Sequence, residues 1–470
     1  MKRLYILILL SGLFFSCEKE NATNTVSDDS TIIQDQYGRQ LILHGLNTSS
    51  SAKGGNYQPW ITEADVARED TSFGFNFVRY LTSWAAIEPE KDVYDEDYLN
   101  ELERRVNWYT SRGMYVMIDM HQDIYGAAVG GNGAPAWACV TNGAAPIDLP
   151  GGTPWWLKNI DPAAIAAWRN FWEYRNYKFL QDHYINVWLK IAARFKDNPN
   201  VIGYDLMNEP WGGDIIKVFL TGEFERLELT AFYKRLIPAL RTAEPNKYIF
   251  FEPLPAPVTF GLATNLTDVT DTRTSQHLVY APHCYPYDTH EGIGYTGTSK
   301  QQLRDWERER KKDVQRFGNS PLLTGEFGLS PSQAGFDQYL TDFNTISDRN
   351  LWHWSYWSSD RGGWGPTNPD NSESPILSHL IRTYPKATAG KIQSFSFNPD
   401  TKKFEMTFVS NTAISQPTEI FVPNRFYPGG WNLAVNGTTK FTQSFNETDQ
   451  VLSFSTTENN KVISIEITPK

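Results

Sequence analysis

Gly203-Tyr204-Asp205-Leu206-Met207-Asn208-Glu209-Pro210 is an apolar strand that runs into an acid and is stopped by a proline. Pro210 lacks a backbone donor and restricts the residue before it, so the strand Ile202–Glu209 ends with Glu209 at its tip. A second apolar stretch, Pro321-Leu322-Leu323-Thr324, leads in the same way to Gly325-Glu326-Phe327-Gly328. Further strand candidates are Leu41–Asn47, Phe77–Thr82, Tyr115–His121, Tyr248–Glu252, Leu278–His283 and Leu351–Trp357, which with Ile202–Glu209 and Leu322–Glu326 make eight. Helical patterns such as Ile185–Phe195 and Thr230–Thr242 lie between several of them. Eight short strands alternating with helices predict an α/β fold, a (β/α)8 TIM barrel. Chemistry in that fold sits at the C-terminal strand ends, where the polar residues collect here. The alternative, a doubly wound open sheet, would call for a Gly-rich nucleotide turn.

After Pro385 the pattern changes. Thr388–Lys391 reads as a linker, and Phe404–Val409, Glu419–Val422, Val451–Phe454 and Val462–Ile467 predict a small all-β sandwich. Its expected role is packing against the barrel, with carbohydrate binding as the alternative.

At the other end, Lys2 and Arg3 precede an apolar run from Leu4 to Leu10 that resumes at Leu13 and ends at Ser16-Cys17. This is the form of a signal peptide, too short to span a bilayer. Leu13-Phe14-Phe15-Ser16-Cys17 resembles a bacterial lipoprotein processing box, which makes Cys17 the expected lipidation site. Glu18 to Asp29 is polar and reads as a flexible tether. The expected division is residues 1–17 signal peptide, 18–30 tether, 31–386 barrel and 387–470 sandwich. The expected location is exported: an outer-membrane or cell-surface lipoprotein held to the membrane by its anchor, or a periplasmic protein. Cys139 and Cys284 could pair in an exported protein, but two separate buried thiols are the expected arrangement.

The net charge of −11 carries no basic stripe, which excludes nucleic acid as a partner. The histidines show no ligand spacing, so no metal and no cofactor is expected. A monomer is expected.

Two carboxylates at facing strand ends are what glycoside hydrolysis needs, one protonated to donate to the leaving oxygen and one ionised to attack the anomeric carbon. The order of the other polar strand ends resembles family 5 of the glycoside hydrolases over about 350 of the 470 residues. Arg79 falls in Phe77-Val78-Arg79 and His121 in Asp119-Met120-His121. Asn208-Glu209 follows, then His283 and Tyr285 in His283-Cys284-Tyr285, Glu326, and Trp357 in Trp354-Ser355-Tyr356-Trp357. By that resemblance Glu209 is the acid/base and Glu326 the nucleophile. Asn208 bonds the sugar 2-hydroxyl. Arg79 and Tyr285 hold Glu326 ionised and oriented. His121 and His283 bind sugar hydroxyls or support the acid/base, and Trp357 forms the floor under the sugar ring.

Within the family the chain resembles the endoglycoceramidases, which cut between oligosaccharide and ceramide. His121-Gln122-Asp123 resembles their motif in which the His and Asp touch the first sugar, and Lys53 corresponds to a sugar-contacting lysine. Gly130-Gly131-Asn132-Gly133-Ala134-Pro135-Ala136-Trp137 resembles their Gly-rich insertion. The implied partner is a glycosphingolipid. The aromatic-rich stretch from Ile124 to Tyr177 either lines a lipid trough or packs a local helix near Ala163–Lys178. Rival readings are an exo-acting β-glucosidase or galactosidase on glycolipids or steryl glucosides, an endo-β-glucanase or mannanase, and a glycan-binding lipoprotein without activity.

Overall fold

The computed structural model describes residues 29–147, 150, 154–273 and 275–470. The signal peptide, Cys17 and nearly all of the tether lie outside the described residues. The barrel strands are β1 His44–Asn47, β2 Phe77–Thr82, β3 Tyr115–Met120, β4 Val201–Asp205, β5 Tyr248–Phe251, β6 Leu278–Tyr280, β7 Leu323–Thr324 and β8 His353–Tyr356. Neighbours pair in parallel, from Leu46 with Val78 through Ile118 with Tyr204 to Ile249 with Leu278. A parallel bridge from Tyr280 to Leu322 joins β6 to β7, and β8 returns to β1 at His44 and Trp354, which closes the barrel.

Strands covered on both faces read as continuous apolar runs. In β2 every residue is buried. Phe77, Met117, Ile202, Phe250, Val279 and Leu323 fill the barrel interior, while Val78, Ile118, Tyr204 and Ile249 belong to the core shared with the helices. Ile33 plugs the interior from the N-terminal side of the strands, and the Gln34 N–H donates to the hydroxyl of Tyr248, the first residue of β5. The chain therefore enters the barrel at the face opposite the one that carries chemistry.

The predicted strands overrun the observed ones at their functional ends. Pairing in β4 stops at Asp205, because Leu206–Glu209 turns out of the ladder towards the barrel mouth. Leu351 is not in a strand: it caps the helix Phe336–Asn350 in a left-handed conformation. The expected helices lie within Tyr174–Phe195 and Thr230–Ala243.

The C-terminal region is two antiparallel sheets. Its strands are β9 Tyr384–Thr388, β10 Gly390–Phe397, β11 Phe404–Ser410, β12 Thr418–Phe421, β13 Trp431–Asn436, β14 Phe441–Asn446, β15 Val451–Thr456 and β16 Val462–Pro469. One sheet has the order β10-β11-β16-β13. The other begins with Gln40–Leu41, from ahead of the barrel, and continues β9-β12-β15-β14. The expected linker at 388–391 is instead strand, since Ala389 alone separates β9 from β10. Gly390 is there for room: a Cβ would lie 2.0 Å from the Val409 carbonyl oxygen. The expected boundary at 386/387 falls inside β9.

The seam is tightly packed. His44 stacks between Trp354 and Tyr384 at 4.2 and 4.1 Å. Tyr384 OH donates to Gly74 O at 2.8 Å, and Arg382 pairs with buried Asp348. Cys139 and Cys284 are free thiols, Cys284 fully buried.

Candidate active site

β4 delivers Glu209 beyond its last paired residue, and neighbours hold the turn in place. The Asn208 N–H donates to Met120 O at 3.1 Å, and Gln122 Nε2 donates to the carbonyls of Asn208 and Glu209 at 2.8 and 2.9 Å. Glu209 sits at φ +43°. That left-handed conformation costs a non-glycine residue about 1–3 kcal/mol. Its N–H donates at 2.9 Å to Glu252 Oε2, at the end of β5. A hydrogen bond contributes about 0.5–1.5 kcal/mol and offsets part of that strain.

Glu326 follows β7. Arg79 Nη1 donates to its Oε1 at 2.9 Å and Tyr285 OH to its Oε2 at 3.0 Å. His283 Nδ1 lies 2.9 Å from Glu209 Oε1 and 3.7 Å from Glu326 Oε2. One oxygen of each glutamate and that nitrogen lie within 4.8 Å of one another. Such an approach fits a retaining pair, whose carboxyls stand roughly 5–5.5 Å apart. Gly325 makes the approach possible, since a Cβ there would meet His283 Nε2 at 2.9 Å.

Arg79, wholly buried, is the hub beneath the pair. Besides Glu326, it donates to Asp205 at 2.9 Å, Glu252 at 2.8 Å, Asn47 at 3.0 Å and Asn208 at 2.9 Å, and lies 3.0 Å from Asp119. Burial disfavours its charge, but these carboxylates more than compensate and raise its pKa well above the ordinary value. Glu326 is itself raised: burial pushes it up and Glu209 adds to this, against the pull of His283, Arg79 and Lys53. The expected grip of Arg79 and Tyr285 on Glu326 is present, yet burial outweighs it. His283 is raised well above the histidine range, because Glu252 and Glu326 overcome the burial that would lower it. His121 goes the other way, driven well below by burial and by Lys53 and Arg79. Burial pushes Glu252 up to about 8, with Asp205 adding and His283 opposing.

Above this floor opens a cleft of about 1070 Å³. Its lining divides by barrel position. The loops after β8 and β1, with Asp123 after β3, bring Lys53, Asp123, Trp357 and Asp360 to one side. Lys53 Nζ pairs with Asp123 at 2.9 Å and lies 4.2 Å over the Trp357 ring, which stacks on His121 at 5.5 Å. Loops after β3 to β6 bring Trp156, Ile160, Trp211, Phe219, Phe260 and Tyr287 to the other. Trp156 Nε1 donates to Glu291 Oε1 at 3.1 Å, so the loop after β3 reaches the loop after β6 over this apolar half.

Residues 34–363 match the family described as cellulase (glycosyl hydrolase family 5), and 382–467 match the glycoside hydrolase family 5 C-terminal domain. The chain belongs to glycoside hydrolase family 5. Endoglycoceramidase I of Rhodococcus hoagii is 32% identical over 435 residues, covering 88% of this chain and 82% of its own length. Endoglycoceramidase of Hydra vulgaris is 27% identical over 472 residues, covering 90% of this chain and 85% of its own. Among solved structures, endo-glycoceramidase II from Rhodococcus sp. superposes with a TM-score of 0.86 at 35% identity, covering 93% of this chain and 99% of that one. Structures of that enzyme include a ganglioside GM3 complex and a lactosyl-enzyme intermediate.

The family 5 residues expected from the sequence converge on one site but at two depths. Lys53, Asp123, Glu209, Tyr285, Glu326 and Trp357 line the cleft. Arg79, His121, Asn208 and His283 sit behind them, buried. Asn208 is engaged at both ends of its amide, with Oδ1 accepting from Arg79 and Nδ2 donating to Gln122 O at 2.9 Å. Two acids of the floor, Asp119 and Asp205, escape the sequence reading, and Glu252 enters it as the end of the strand Tyr248–Glu252 without a role. Their signal is present, since a carboxylate inside an apolar strand is seldom buried without a partner. Most aromatics of the Ile124–Tyr177 stretch pack rather than line the cleft. Trp168 and Trp172 stack on each other at 5.8 Å, and Trp137 packs on Trp84. The apolar wall comes mainly from the loops after β4 and β5, where Trp211, Phe219 and Phe260 follow no periodic pattern.

Proposed function

We propose that this family 5 enzyme is a retaining endoglycoceramidase, cleaving the β-glycosidic bond between oligosaccharide and ceramide in glycosphingolipids. The observation that carries the reading is the two-sided cleft: an aromatic and charged wall suits a sugar, an apolar wall suits acyl chains, and the carboxylate pair lies where they meet. The endoglycoceramidase relatives and the ganglioside-bound neighbour support it.

In the first step Glu326 attacks the anomeric carbon while Glu209 gives its proton to the departing ceramide oxygen. In the second, Glu209 takes a proton from water, which displaces Glu326 and restores the β configuration. Lys53, Asp123 and Asn208 bond sugar hydroxyls, and Trp357 supports the ring. The test compares a GM1-type ganglioside, glucosylceramide and carboxymethylcellulose. Release of intact oligosaccharide from the ganglioside is expected. Activity on glucosylceramide alone makes the enzyme exo-acting, and activity on the glucan alone makes it a glucanase.

We further propose export as a lipoprotein anchored through Cys17. The sequence Leu13–Cys17 supports this. Fractionation of cells expressing Cys17→Ser tests it: the wild type pellets with membranes and the variant becomes soluble.

A further inference from the structure

Glu252 ends β5, is buried, and is not one of the cleft-lining residues. Two donors hydrogen-bond its two carboxylate oxygens, and the His283 imidazole lies against one of them at ion-pair distance. Arg79 Nη2 reaches Oε1 at 2.8 Å, His283 Nε2 faces Oε1 at 3.3 Å, and the Glu209 N–H reaches Oε2 at 2.9 Å. Its backbone carbonyl accepts from Tyr233 OH at 2.8 Å, which fixes the residue from the helix side. Each partner leads to the reacting pair. Arg79 holds Glu326, His283 Nδ1 holds Glu209 Oε1, and the amide belongs to Glu209 itself. Asp205 and Asp119, from β4 and β3, face the same point, with carboxylate oxygens within 4.8 Å of Glu252. Arg79 and the Glu209 amide are obligate donors, so His283 Nε2 is the partner among these three with which Glu252 can exchange a proton.

We propose that Glu252 is a positioning residue for the proton transfer: one carboxylate fixes the strained backbone of Glu209 and aims the imidazole that touches the Glu209 carboxyl. The proton still travels from Glu209 to the leaving oxygen, and Glu252 never meets the substrate. With Glu252→Gln, one of the two oxygens becomes an NH2 donor facing donors, so either the Glu209 amide or the Arg79–His283 side loses its acceptor.

This inference rests on Glu209 being the acid/base, and the experiment separates the two. kcat/KM, which reports formation of the glycosyl-enzyme, is measured on a 2,4-dinitrophenyl β-lactoside and on an alkyl β-lactoside. The first leaving group departs without a proton and the second needs one. Active sites are counted by trapping Glu326 with a 2-deoxy-2-fluoro aryl glycoside, so misfolded protein does not enter the ratio. Glu252→Gln is expected to lose at least tenfold more on the alkyl substrate than on the dinitrophenyl one. Equal losses, or no loss, overturn the proposal. If too little Glu252→Gln folds to be trapped, Glu252→Asp, which keeps the charge and shortens the reach, is measured on the same two substrates. A selective loss on the alkyl lactoside again supports the proposal, and equal or no loss again overturns it. Glu209→Gln must show the leaving-group selectivity itself; if it does not, the acid/base assignment fails, independently of Glu252.

Discussion

The two walls of the cleft are built by opposite arcs of the same barrel and follow different rules. The wall after β8 and β1 is charged and aromatic, and its side chains are fixed: Lys53 is held by Asp123, and Trp357 packs against both Lys53 and His121. The wall after β3 to β6 is mainly apolar, broken by Asn159, His290 and Glu291, and several of its side chains stand open to solvent, with Phe219 53% exposed and Ile160 45%. Fixed polar groups select by hydrogen-bond geometry, whereas an apolar surface selects by area. One wall is therefore expected to govern which sugar is cut and the other what it is cut from.

The most severe break in this comparison is to remove what the walls share. Glu326→Gln should lower turnover by ~10⁴-fold or more on every β-glycoside, lipid-linked or soluble. Measured release from ganglioside and from an aryl lactoside checks it, and retained turnover on either would mean the walls do not serve one centre. Next in size, Lys53→Ala strips the polar wall of its cation and leaves Asp123 without its partner. The loss should be on the order of 10²-fold in kcat/KM and the same on both substrates, because both carry the sugar. Smaller again is Trp211→Ala combined with Phe219→Ala on the apolar wall. A KM about tenfold higher on ganglioside is expected, about 1.4 kcal/mol of lost contact, with the aryl lactoside unchanged. An equal effect on both substrates would deny the walls separate tasks.

The polar wall is far more legible in the sequence than the apolar one. Strand patterns mark the ends after which its residues sit, and the resemblance to the family picks out His121 and Asp123 by their motif and Lys53 by a looser match. The apolar wall sits on long loops, where no period constrains which aromatic faces the cleft, and Trp156 differs from buried Trp168 only through tertiary packing. The same logic explains the sandwich. β11 and β16 alternate clearly, while β14 is Phe-Thr-Gln-Ser-Phe-Asn, almost wholly exposed at a sheet edge, and lacks the apolar face that would mark it. The role of Glu252 escapes for another reason: the sequence places it at a strand end, but only the barrel's closure reveals that Arg79 and His283 reach it from other strands.

The smallest effect concerns the floor on which both walls stand, and it appears in stability rather than rate. Glu252 ionises at about 8 in the fold, against 4.5 for an unperturbed glutamate. The folded state therefore holds more protons than the unfolded chain between these values, and stability falls as pH rises through that window. His283 contributes with the same sign. Its folded pKa is raised, so its stabilisation is complete below the unfolded value of about 6.5 and is lost as pH rises through the folded one. The thermal midpoint should accordingly drop by a few degrees, roughly 1 °C per kcal/mol for a chain this large, between about pH 5 and pH 9. Glu252→Gln removes one of the titrating groups and should flatten the slope without touching either wall. A midpoint that rises with pH across this range would reverse the assignment, because it would require the buried acids to be paired and ionised in the fold rather than held above their ordinary range by burial.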